Sequence, residues 1–93
     1  MEAQENKSIL KEADEIRQGS RNSDYGGAVE NFKRSAQMAS LITGTELTPK
    51  QCVAVHIATK LSREAYRHKR DNLVDLCGYA DIMQEINEKE DKQ

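Results

Sequence analysis

Tryptophan is absent, phenylalanine occurs once and tyrosine three times in this 93-residue chain. So few rings exclude a core built on aromatic packing and leave Leu, Ile, Val, Ala and Met to fill it. Proline occurs once and glycine five times, too few for a turn-rich sheet protein; with charged residues at 32% the composition favours helices. No apolar run approaches the ~20 residues that span a bilayer. Residues 1–7 are polar and no apolar stretch follows them, so no secretory signal is expected and the chain reads as cytoplasmic. No excess of one charge is present either: 14 Lys and Arg face 16 Asp and Glu. That near-balance argues against general nucleic-acid binding by phosphate neutralisation. Only Cys52 and Cys77 are available as thiols. They lack CxxC spacing and the further ligands a zinc site needs, so two reduced, mostly buried thiols are expected.

What is present is helical punctuation. Ser8 is a plausible N-cap for a first helix with Ile9, Ala13 and Ile16 on one face, ended by Gly19. Residues 19–27 form a turn-rich loop. A second helix is expected from about Ala28 to Ile42, with Val29, Phe32, Ala36, Ala39 and Ile42 or Thr43 inward and Gly44 as its stop. Thr48, Pro49 and Gln51 form a capping box with proline at the first helical position. The third helix should run to about His68 and bury Val53, Ala54, Ile57, Ala58, Leu61 and Ala65. Asp71 should cap a fourth helix that buries Leu73, Leu76, Cys77, Ala80, Met83 and Ile86. The expected fold is all-α: a small four-helix bundle in which helices 3 and 4 form an antiparallel hairpin. Residues 8–88 make the single domain, with flexible ends at 1–7 and 89–93. A core this small often gains stability by self-association, so a homo-oligomer is expected.

The chemistry concentrates in that hairpin. His56, Lys60, Arg63 and Arg67 fall at i, i+4, i+7 and i+11 and form a basic stripe on helix 3. Asp71, Asp75 and Tyr79 step down helix 4 one turn at a time. Folding the chain at Lys69–Arg70 would set Arg67 against Asp71 and Arg63 against Asp75, with Lys60 and His56 toward Tyr79. Facing charges between packed helices must be paired, so the seam is either a structural lock or a site for a charged ligand. Gly78 sits mid-helix at a cost of about 1 kcal/mol relative to alanine, which close approach of another helix or of a ligand would explain. Arg21, Asp24 and Tyr25 place a cation, an acid and a ring in the loop, where they would lie over the seam and meet a base; plain turn chemistry accounts for the loop's other residues. Tyr79 and His56 also suit half-buried structural roles. Ser62 and the cysteines show no nucleophile–base arrangement.

The ordered set Asp24-Tyr25-Gly26, Asn31-Phe32, Lys60-x-x-Arg63, Asp71-Asn72-x-x-Asp75 and Gly78-Tyr79-Ala80 resembles a family of small, mostly phage-encoded helical proteins of unassigned function. The match covers about residues 8–86. That family in turn looks distantly similar to MazG-like all-α nucleotide pyrophosphohydrolases, which bind magnesium through an ExxE pair on one helix and an ExxD pair on the next. Here Lys60-x-x-Arg63 stands in place of the first pair and Asn72-x-x-Asp75 in place of the second. Two cations repel a divalent metal and attract phosphate. The resemblance therefore implies a protein that binds a phosphorylated nucleotide or nucleotide-derived signal without efficient hydrolysis and with no cofactor. Lys60 and Arg63 would hold phosphate, Asp71, Asn72 and Asp75 would orient them or meet sugar and base, and Tyr25 and Tyr79 would stack. A phage would use it in the host cytoplasm, for example to sequester a defence nucleotide. Two alternatives stand beside it. One is a magnesium-dependent pyrophosphohydrolase using Asp71, Asp75 and Glu12 or Glu15; the other is an inhibitor of a host protein.

Overall fold

The computed structural model describes residues 7–19 and 26–91. Among the described residues there are four helices: α1 (Ile9–Gln18), α2 (Ala28–Thr43), α3 (Pro49–Tyr66) and α4 (Arg70–Asp91). The caps lie where local chemistry demands them. Ser8 Oγ accepts from the Lys11 amide at 3.0 Å. Thr48 and Gln51 exchange bonds of 3.1 and 2.9 Å, which satisfies two amides that no helical carbonyl reaches. Gly44 ends α2 in the left-handed conformation, φ 73°, where a side chain would be strained.

The α3–α4 connection departs from expectation. Arg67 is extended (φ −159°, ψ 130°) and α3 stops at Tyr66 rather than His68. α4 starts at Arg70, its first turn closed by the Asn72 amide on the Lys69 carbonyl at 3.0 Å, so Asp71 lies inside the helix and is not its cap. The turn is therefore centred near Arg67–His68, earlier than Lys69–Arg70, and the antiparallel register moves with it: His56 faces Tyr79, Lys60 faces Asp75 and Glu64 faces Asn72.

α4 is the central element, with α3 on one side, α1 on another and α2 closing the α3 side. The core cluster joins Val29 and Phe32 of α2, Val53 of α3, and Ile82 and Ile86 of α4, with Ile57, Tyr79 and Met83 packed against it. The inward face of α4 is thus Val74, Ile82 and Ile86. Of the expected stripe, Leu73, Leu76, Cys77 and Met83 are half-buried and Ala80 is exposed, because a helix flanked on two sides buries a wide arc rather than one line. On α3 the opposite holds. Covered by neighbours on one side only, it buries Val53 and half-buries Ile57, while Ala54, Ala58, Leu61 and Ala65 face outward. Ile42 and Thr43 are exposed as well, beyond the part of α2 that reaches the core cluster.

Candidate functional site: a pocket where four helices meet

All four helices contribute to one pocket of about 220 Å³. α1 supplies Ala13, Ile16 and Arg17; α2 supplies Asn31 and Phe32; α3 supplies His56; α4 supplies Asp75, Gly78 and Tyr79. One wall is aromatic. The Phe32 and His56 rings meet edge to face at 5.2 Å between centroids, His56 and Tyr79 at 5.4 Å, and Phe32 and Tyr79 at 6.4 Å. Such T-shaped contacts place the positive edge of one ring on the negative face of the next. Gly78 lines the pocket beside Tyr79. A Cβ built there meets no atom within 4 Å among the described residues, so no neighbouring helix requires the glycine and the space beside it belongs to the pocket.

Lys60 lies behind Asp75. Its ammonium is 2.7 Å from one Asp75 oxygen and 3.7 Å from Asp71, with only 14% of the side chain exposed. The bond to Asp75 holds the Lys60 pKa above its ordinary value, against the opposing effect of burial, and the charges of Asp75, Asp71 and Tyr79 add to it. Arg17 is the counterpart on α1: its guanidinium bonds Asp81 at 3.1 Å and also reaches Glu85. Each cation thus carries two carboxylates, and the pocket's surroundings hold an acid excess.

The sequence-nominated residues divide accordingly. His56, Asp75 and Tyr79 come together in the pocket, and Lys60 and Asp71 form the pair behind it. Lys60, not Arg63, meets Asp75. Arg63 and Arg67 are exposed and make no ion pair with a described residue; the shifted turn carries them past the acidic stripe. Asn72 is buried at 4% exposure and donates to Glu64 at 3.1 Å. Glu64 also accepts from the Lys69 amide and pairs with His68, and these bonds, that of Asn72 first, hold its carboxyl below the usual range. Asn72 therefore secures the hairpin turn. Arg21, Asp24 and Tyr25 lie outside the described residues. Sequence reasoning passed over Arg17; the available signal was Asp81 and Glu85, one turn apart on a helix that needed a cation opposite. Asn31 and Phe32 entered only as parts of a motif.

The carboxylates suggested for magnesium have other partners. Asp71 and Asp75 hold Lys60, Glu12 holds Arg70 at 3.0 Å, and Glu15 takes Lys7 at 2.7 Å. Among the described residues no three metal-ligating side chains converge. A magnesium cluster wants several hard oxygens around one point, and this donor set does not fit it.

The fold and pocket define a small all-α protein with a cleft of about 220 Å³ between its helices. The chain belongs to the family described as a domain of unknown function, DUF6378, whose profile matches residues 8–87. It is 35% identical over 88 residues to the Gene 55 protein of Mycobacterium phage L5, covering 92% of this chain and 56% of that protein. With the Gene 55 protein of Mycobacterium phage D29 it shares 34% over 83 residues, 88% of this chain and 55% of the relative. The chain spans about half the length of the curated relatives it matches. No solved structure matches it. The resemblance to a phage-encoded helical family of unassigned function is thus established. No described helix is long and apolar enough to cross a membrane.

Proposed function

We propose that this protein binds a nucleotide-type small molecule without hydrolysing it, with the base in the four-helix pocket and the phosphate outside. The observation that carries the reading is the pocket itself: an aromatic wall beside a glycine that no described neighbour requires, with polar groups from four helices converging. At about 220 Å³ it is smaller than the roughly 300–1,000 Å³ of drug-sized sites and suits one ring system. Phosphate belongs elsewhere, because Lys60 is committed to two aspartates. Arg63 near the end of α3 and Arg67 just beyond it, without ion-pair partners among the described residues, are cations open to it. Sequestration of a host signalling nucleotide by a phage protein is the biological role this chemistry would serve.

A thermal-shift screen against nucleosides and mono-, tri-, cyclic and ADP-ribose-type nucleotides, with and without magnesium, tests the reading. A ligand at a hundred times its Kd stabilises by about 2.7 kcal/mol, several degrees for a domain this size. A magnesium-independent shift with the ligand recovered intact is expected. Turnover with magnesium would restore the pyrophosphohydrolase, and no shift with any compound would remove the binding reading.

A second reading, assembly through protein contact, has its own observation. Ala54, Val55, Ala58, Leu61, Ala65 and Tyr66 are exposed on the outer side of α3 and none is charged, in a chain where 32% of residues are. Small residues at the centre of such a face permit close approach of another helix. A homo-oligomer formed there would dissociate on Leu61→Glu with the fold retained, as read by light scattering. A chain monomeric at all working concentrations would leave a host protein as the partner for that face.

A further inference from the structure

Among the described residues, and with the Tyr79 hydroxyl set aside, the polar side chains of the lining with bonding capacity left over are mainly acceptors. Asp75 gives one oxygen to Lys60 at 2.7 Å, and its other oxygen takes no hydrogen bond from a described residue. His56 bonds through Nδ1 to the Cys52 carbonyl at 2.9 Å. A carbonyl oxygen only accepts, so Nδ1 carries the proton, and in the neutral imidazole Nε2 is left as an acceptor. Asn31, half-buried in the lining, has no side-chain partner among the described residues and can donate or accept. Arg17, the one cation of the lining, is already held by Asp81 and Glu85. A ligand seated here gains by bringing N–H donors, to half-buried Asp75 above all and to exposed His56 as well, since acceptors desolvated without donors cost free energy on both sides.

We infer that the pocket selects a planar nitrogen heterocycle bearing an amino group, whose N–H donors meet Asp75 and His56 while its ring lies against the aromatic wall beside Gly78. This rests on the reading of the site as a nucleotide-base pocket and names the class of base. The four carboxylates around Arg17 and Lys60 favour the same outcome, because they oppose entry of an anion and leave an amino-bearing ring electrostatically welcome. Sites built to hydrogen-bond a substrate group reject analogues lacking it far more strongly than apolar pockets reject a missing methylene.

The experiment is titration calorimetry of the full chain with two matched pairs, adenosine against purine riboside and guanosine against inosine, and with the 5′-monophosphates of adenosine and guanosine. In at least one pair, loss of the amino group should weaken binding by tenfold or more, and the nucleoside should bind within tenfold of its monophosphate. Asp75→Asn should remove most of that discrimination. Gly78→Val, which occupies the space without touching the Lys60 pair, should abolish binding by a protein that still melts cooperatively, and it serves where Asp75→Asn fails to fold. Equal affinity within both pairs would overturn the inference while leaving a base pocket in place. Binding of monophosphates but no nucleosides would overturn it too. If nothing binds, the nucleotide reading falls with it.

Discussion

Lys60 on α3 and Asp75 on α4 face each other at 2.7 Å, and this contact ties the hairpin to the pocket. Asp75 presents one oxygen to the ammonium and lines the pocket beside Gly78 and Tyr79. The same aspartate therefore fixes the register of two helices and sets the polarity of the cavity. Lys60 reaches the pocket only through that aspartate.

Removing the lysine leaves a half-buried carboxylate without its cation. Lys60→Ala should lower stability by about 1–3 kcal/mol, several degrees in Tm, measured by thermal or urea unfolding. The Lys60 pKa is raised in the folded state, so its contribution is complete below the unfolded value of roughly 10.4 and is lost as pH rises through the folded one. The difference between wild type and Lys60→Met should accordingly persist through neutral pH and disappear in strong alkali. A difference that vanished near pH 7 would contradict the pairing.

At the hairpin turn the sign reverses. Glu64 has its pKa lowered by Asn72, His68 and the Lys69 amide, so its contribution is present above the unfolded carboxylate range and is lost as pH falls through the lower folded value. Asn72→Ala should destabilise the protein at pH 7 and should narrow its stability loss between pH 5 and pH 3 relative to wild type. Parallel acid-unfolding curves for the two proteins would count against this role.

Gly78 separates stability from function. Nothing among the described residues lies within 4 Å of a Cβ placed there, so Gly78→Ala should raise stability by up to about 1 kcal/mol through helix propensity alone. It should at the same time weaken any ligand that uses the pocket. A variant that lost stability would show that the helix there is constrained by something other than an open cavity.

Arg17 holds α1 to α4 through Asp81 and Glu85. With 14% of its side chain exposed but Asp81 exposed and Glu85 partly so, Arg17→Ala should cost up to about 1 kcal/mol after screening. Hydrogen exchange should rise in α1 before it rises in α3.

Local chemistry made much of this legible in the chain alone. Caps at Ser8 and Thr48, the stop at Gly44 and the proline at position 49 depend on neighbours a few residues away, so α1, α2 and the start of α3 follow from the sequence. The juxtaposition of His56 with Tyr79, and of Lys60 with the acidic stripe, followed from helical spacing and one antiparallel turn. Three things did not follow. The turn's centre depended on where Arg67 leaves the helix, and that shift exchanged Arg63 for Lys60 opposite Asp75. Which residues of α3 and α4 are buried depended on how many neighbours each helix has: α4 has α1 and α3 at its sides, whereas α3 is covered on one side only. The pocket depended on Arg17 and Asn31 arriving from distant parts of the chain. Periodicity records that a helix has an apolar face, but it carries no term for the number or angle of the helices that will cover it; only the packed bundle decides that.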